Sequence, residues 1–321
     1  MIAHLQHYAP EVFAVKTRGG TFSCTSPFVQ RFLKNHLGWV LRKTTRAAQK
    51  TPVNAEDQCK ASFCRQAISI RNYHIPACLR VNIDQSQVLL NDAGDRTYEV
   101  VGSRQVDGAG KEEKRAFTVL MGVSANGNVL PFQVIWKGKT AGSLPPSTSP
   151  FYDEAVAIGI TFVPSQTPTY WSTFLTMISY IEITLIPFYN RHKAELGLPK
   201  DQEVILQLDV WSVHRSKQFR DHISRVWPEI ILDYVPGGCT GIWQPCDVGM
   251  QRLMKVVIRR SQQEDIIEET LLQIQAGVPP HQIKLDTSVV TLRRRSVRWM
   301  VNAYNSINDP TIVKRVSTAV L

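Results

Sequence analysis

Apolar residues recur at two different spacings along this chain, and the change between them divides it into regions. LRVNID (79–84) and TYEVVGSRQV (97–106) alternate with the period of two that marks half-buried strands. RAFTVLMGVSANGNVLPFQVIWKG (115–138) reads as two strands joined at Ala125-Asn126-Gly127, since Asn-Gly favours a tight hairpin. Residues 138 to 170, with GSLPPSTSP inside, read as a loop-rich insertion. Helical spacing follows in WSTFLTMISYIEITLIPFYNRHK, where Phe174, Ile178, Ile181, Leu185 and Phe188 share a face and Pro187 is expected to kink or end the helix. VILQLD (204–209) is a buried-type strand, a helix is expected over Ser216–Val226, and IILDYV (230–235) is another strand. A long helix is expected from Val248 to Ile274, and a last one over RRRSVRWMVNAYNSIN with Val297, Val301 and Tyr304 on one face.

The front of the chain has its own character. Between Val12 and Ala55 there is no acid, but there are eight bases. SPFVQRFLKNH (26–36) predicts a helix, with Ser26 as N-cap and Pro27 at the first helical position. Gly38 then suits a left-handed helix end. VLRKTTRAAQK (40–50) predicts a second helix whose charges are all basic, among them Arg42, Lys43, Arg46 and Lys50. Helix, glycine turn and basic helix form the outline of a DNA-binding helix-turn-helix; a plain helical hairpin with a solvated face is the alternative. The chain thus divides into a tail over 1–21, a partial helix-turn-helix segment over 22–55, an α/β domain over 78–275 and a C-terminal helical extension over 285–321.

Strands first, then alternating helix and strand, predict a mixed sheet with helices on its faces. The expected class is α/β. Three antiparallel strands followed by α, β, α, β, α is the element order of the ribonuclease H-like fold.

Composition is that of an ordinary globular chain, with 43% hydrophobic and 20% charged residues. Lys plus Arg exceed Asp plus Glu by 37 to 27, which favours a polyanionic partner. No apolar run is long enough for a membrane span, and MIAHLQHYAPEVF does not read as a signal peptide. The six cysteines lack a CxxC pair and read as reduced thiols.

Three acids stand where such a sheet would gather them. Asp84 and Asp209 are expected at strand ends, and Asp247 at the head of the long helix. Grouped carboxylates repel unless cations neutralise them, and Mg²⁺ or Mn²⁺ suits oxygen ligands. Singly, each acid fits a turn or a helix cap equally well. The loop YVPGGCTGIWQPCDVGMQ (234–251) raises a rival possibility in Cys239 and Cys246. Their six intervening residues match no common zinc spacing, however, so the loop reads as a turn that delivers Asp247. His214, five residues after Asp209, suits a role in orienting a metal ligand, a phosphate contact or a helix cap. Trp211 and Trp243 suit base stacking or loop anchoring. Arg293, Arg294, Arg295 and Arg298 suit phosphate contacts or a solvated face.

NIDQSQ (82–87), KRAFTVLMGVSANGNVLPFQVIWKGKT (114–140), LDVWSVHRS (208–216) and VPGGCTGIWQPCDVGMQR (235–252) resemble the DDE superfamily endonuclease domain of pogo, Tigger and jerky-type transposases, the kin of centromere protein B. That resemblance implies a ribonuclease H-like fold over 78–275 and Asp84, Asp209 and Asp247 as both catalytic and metal-binding residues. It implies two divalent ions and a nuclear protein whose partner is DNA, acting as a homo-oligomer, with no small-molecule substrate and no membrane. SPFVQRFLKNHLGWVLRKTTRAAQK resembles the second half of the family's paired helix-turn-helix region, and the first half is missing. A derivative that binds DNA and no longer cuts therefore stands beside the active transposase as a second expectation.

Overall fold

The computed structural model describes residues 2–17, 20–43, 52–91, 96–100 and 115–318. Six strands form one sheet: β1 Arg80–Leu89, β2 Ala116–Ser124, β3 Val129–Trp136, β4 Thr161–Pro164, β5 Val204–Leu208 and β6 Ile230–Tyr234. Their order across the sheet is β6-β5-β1-β2-β3-β4. β1, β2 and β3 run antiparallel in turn, while β5 lies parallel to β1 and β6 parallel to β5. The first five of these in the chain's ribonuclease H order, with helices on both faces, make this a ribonuclease H-like mixed sheet, as expected.

Both faces of β2 are covered, and all nine of its residues are buried. On one face Phe117, Val119, Met121, Phe132 and Val134 pack against the Gln251–Gln275 and Val289–Ile307 helices. On the other, Ile83, Leu120, Leu130 and Leu206 meet the helices spanning Phe174–Tyr180, Ile186–Glu195 and Lys217–Val226. Pro187 does not end its helix. A π-helical turn over Ile181–Leu185 precedes it, and this wider turn accommodates a residue that has no N–H to give and a ring that crowds the preceding turn.

The structure corrects four expectations. Asp84 does not end its strand: β1 continues to Leu89, paired with β2 as far as Leu89↔Ala116. Residues 138–170 are not only loop, because they contain the Tyr152–Ile158 helix and β4, which pairs parallel with β3. The strand expected at 97–106 does not join the main sheet; its described part, Arg96–Val100, pairs antiparallel with Trp39–Lys43.

That pairing also corrects the start of the second helix expected at 40–50, whose described residues, Val40–Lys43, are strand. The first helix exists, Ser26–Leu37, capped by Thr25 rather than Ser26 and ended by Gly38 at φ +66°. The residues after it form a strand, so Arg42 and Lys43 lie on an extended backbone rather than a recognition helix. Trp39 and Val40, one aromatic and one β-branched, prefer a pleated surface once a partner strand is supplied. Arg46 and Lys50 lie outside the described residues. A further helix, Ala55–Tyr73, was not expected from the apolar pattern.

Candidate active site

The register of the two central parallel strands sets the site. Asn82 on β1 pairs with Gln207 on β5. Two residues further along each chain stand Asp84 and Asp209, level with each other, Asp209 immediately after β5 ends. Alternation along a strand puts Asp84 on the same face as Asn82. Asp84 is nearly enclosed, at 7% exposure.

The glycine- and proline-rich loop brings the third acid. Val235 N donates to Leu208 O at 2.8 Å, so the loop leaves β6 beside the end of β5. Trp243 then anchors it: its Nε1 donates to Ser62 Oγ at 3.1 Å, and its ring meets Phe63 edge-on. Val235, Cys239 and Trp243 form a small core with Ala55 and Cys59 of the Ala55–Tyr73 helix. Gly238 turns at φ +76°, where a side chain would be strained and its Cβ would press on Pro52. Past Pro245, Cys246 N donates to Asn82 Oδ1 at 3.1 Å, and Asn82 Nδ2 donates to Gln207 O at 3.2 Å. Asn82 therefore links β5, β1 and the loop through one side chain. Asp247 follows directly, in the π-helical turn Cys246–Met250 that opens the long helix.

The result is a carboxyl pair. Asp84 and Asp247 stand close enough for the charge of one to act on the other. Burial pushes the Asp84 carboxyl well above the usual range, the charge of Asp247 adds to this, the Gln85 backbone N–H opposes it, and Asp209 raises it further. None of these influences comes from a basic side chain. Gln251, one turn after Asp247, donates its amide to Asp84 Oδ2.

Asp209 is held from the other side. Its Oδ1 accepts from His214 Nδ1 at 2.7 Å, which assigns the ring proton to Nδ1. His214 sits on the short helical turn Ser212–Arg215, packed between Trp211 and Phe219, with Tyr234 Oη donating to its carbonyl at 2.7 Å. The imidazole is buried and orients the acid rather than meeting solvent. Among the described residues, no group of three or more His, Cys, Asp or Glu side chains closes into a single metal-binding shell. Asp247 and Asp209 both lie within electrostatic reach of Asp84, and Asp209 is turned toward His214.

Other candidates have simpler roles. Cys239 and Cys246 are both buried, and they do not pair. Burial, then the neighbouring Cys239 thiol, push Cys59 up to about 11, so that contact is one of thiols. Trp243 is a loop anchor. Arg293 donates to Gly142 O and covers the Trp136 ring, and Arg294 donates to Thr148 O. Arg295 pairs with Glu269 at 2.8 Å, and Arg298 with Asp265 and Glu268. These arginines bind the protein's own acceptors. Asn82 and Gln251 were not singled out from the sequence; their only signal is position, two residues before one acid and four after another.

The DDE superfamily endonuclease family matches residues 114–315, a span that includes Asp209 and Asp247 and begins after Asp84. The chain belongs to this family. Among solved structures, this DDE endonuclease is similar to Mos1 transposase in its paired-end complex with the left transposon end, at 10% identity and a TM-score of 0.42, over 92% of this chain and 69% of that one. The Mos1 mariner paired-end complex with Mn shows 10% identity and a TM-score of 0.42, over 87% of this chain and 63% of that one. The catalytic domain of Mos1 mariner transposase shows 8% identity and a TM-score of 0.34, over 87% and 96%. No curated protein matches the chain.

Proposed function

We propose that this DDE endonuclease is a transposase that cleaves and joins DNA strands with the help of divalent metal ions, through Asp84, Asp209 and Asp247. The observation that carries this reading is the nearly enclosed Asp84 carboxyl, level with Asp209 and raised by the charges of both Asp247 and Asp209. Hard carboxylate oxygens in that arrangement fit Mg²⁺ or Mn²⁺. Asp84 and Asp247 would hold the cation directly, with Asp209 completing the set. Bound there, two such ions supply Lewis-acid charge and an activated water at a phosphodiester.

The chain's own residues do the positioning. Asp84, whose carboxyl burial raises, would have to be deprotonated to hold a cation, as any such ligand must. Gln251 then orients one oxygen of Asp84, and Asn82 holds the loop that carries Asp247. His214 fixes one oxygen of Asp209 and leaves the other for the site. The positive net charge favours a DNA partner. The quoted motifs support placement among the pogo, Tigger and jerky-type enzymes, with nuclear location and assembly on DNA as parts of the same reading.

A second reading, a transposase descendant that binds DNA without cutting, is favoured by the engagement of Asp209 with His214. Purified protein incubated with supercoiled DNA and Mg²⁺ or Mn²⁺ separates the two. Metal-dependent nicking that Asp209→Asn abolishes supports the enzyme. Binding without nicking, unchanged in Asp209→Asn, supports the second reading and overturns the first.

A further inference from the structure

The face of the sheet that carries Asp84 holds a separate recess at the amino ends of β1 and β5. It is a cavity of about 60 Å³, and its lining includes Arg80, Gln66, Gln207, Trp243, Pro245 and Ser317. A volume of that size holds about two waters or one small ion. Arg80 precedes Asn82 by two residues, so its side chain leaves β1 on the same face.

Arg80 is the unusual member. Its Nε is buried with no hydrogen-bond acceptor, although the residue as a whole is only partly buried. Burial pushes the guanidinium down from its ordinary value. An arginine does not escape this cost by losing its proton, and a buried N–H without an acceptor is unfavourable. Asp233, an acid on β6, is already engaged by Gln66 Nε2 at 2.7 Å and Gln207 Nε2 at 3.4 Å. The described residues therefore leave the Arg80 Nε–H, which faces the recess, without an acceptor.

We propose that this recess binds a small oxyanion of phosphate size, with Arg80 supplying the charge and the Ser317 hydroxyl a neutral contact. The ion is not the one undergoing cleavage. Asn82, capped by the Cys246 amide, stands between Arg80 and Asp84 on that face, and four strand residues separate the two by roughly 13 Å. A free oxyanion is therefore the occupant, rather than a phosphate of bound DNA. Filling the recess links the Pro310–Thr318 helix, the Ala55–Tyr73 helix and the loop that carries Asp247, so the ion acts as a brace behind the site. This inference does not depend on metal chemistry at the three acids.

The test is thermal melting of the full chain against inorganic phosphate, with divalent metals chelated and ionic strength held constant. A saturable rise of a few degrees is expected, lost in Arg80→Gln and retained in Asp209→Asn. Ser317→Leu keeps the charge and fills the mouth of the recess, and is expected to lose the rise as well. Absence of a saturable rise, or its persistence in folded Arg80→Gln or Ser317→Leu protein, would overturn the proposal. Displacement of phosphate by duplex DNA would overturn the free-ion assignment and give the recess to a backbone phosphate.

Discussion

The Cys246 amide donates to the side-chain carbonyl of Asn82, and that one bond fixes the distance between two catalytic candidates. Asp247 is one residue beyond Cys246, and Asp84 is two beyond Asn82. The same side chain donates onward to Gln207 O, two residues before Asp209. A single amide thus carries the relative placement of all three acids.

Asn82→Ala is therefore expected to cost about 1–3 kcal/mol of stability, since it strands a buried N–H and a buried carbonyl. Activity on supercoiled DNA is expected to fall about 10–100-fold, as for other residues that orient metal-binding groups. Urea unfolding and a nicking assay at matched folded concentration would check both. Wild-type nicking by a folded Asn82→Ala protein would show that Asp247 is held by other means.

Asp84 gives a pH dependence with a definite sign. Its folded-state carboxyl is raised above its unfolded value, so stability is fully present below the ordinary carboxylate range and is lost as pH rises through the raised value. Metal-free Asp84→Asn protein is expected to melt roughly 2–5 °C above wild type at neutral pH, with the gap closing in acid. Added Mg²⁺ is expected to stabilise wild type and not the variant. Melts in chelator across pH 4 to 8 would decide it; a variant less stable than wild type at neutral pH would contradict the raised carboxyl.

His214 acts on the third acid alone. His214→Asn, which keeps a donor of smaller size, is expected to reduce nicking about 10–100-fold while leaving DNA affinity unchanged. A filter-binding or anisotropy measurement beside the nicking assay separates the two effects. Equal loss of binding would mean that the imidazole supports the whole region rather than orienting Asp209.

Arg298 belongs to the core rather than to a nucleic-acid surface. It pairs with Asp265, which is 5% exposed and also accepts from Trp299 Nε1 at 2.6 Å. Arg298→Ala leaves that carboxylate buried without its cation, at an expected cost of about 3–5 kcal/mol. Its effect should appear in the unfolding midpoint, with little change in the salt dependence of DNA binding among the molecules that remain folded.

Much of this arrangement was legible because the sheet is buried on both faces. AFTVLMGVS and VILQL read as strands without tertiary knowledge, and the Asn-Gly hairpin stands where the residues put it. Asp209 and Asp247 were readable because each lies where an element changes. Asp84 was misplaced within its strand because Gln85, Ser86 and Gln87 interrupt the apolar run. The amides of Gln85 and Gln87 turn to partners far away in sequence, such as Tyr170 for Gln87 at 2.6 Å. Trp39–Lys43 was misread because its partner strand lies more than fifty residues later. The Ala55–Tyr73 helix escaped notice because it buries Ala55, Cys59 and Ser62, small residues that leave a faint apolar stripe. Asn82 and Gln251 are polar residues whose importance exists only after folding.

The parallel pairing of β1 with β5 also sets a timetable for synthesis. β1 occupies the middle of the sheet, yet one of its two neighbours begins at Val204. At ribosomal speeds of about 5–20 residues per second, β1 waits roughly ten seconds with that edge unpaired. An exposed edge of this kind invites pairing with other nascent chains. The loop that carries Asp247 emerges later still, so the three acids come together only after β1, β5 and β6 have all been made. A slow, chaperone-dependent yield of soluble protein is what this strand order implies for anyone producing it.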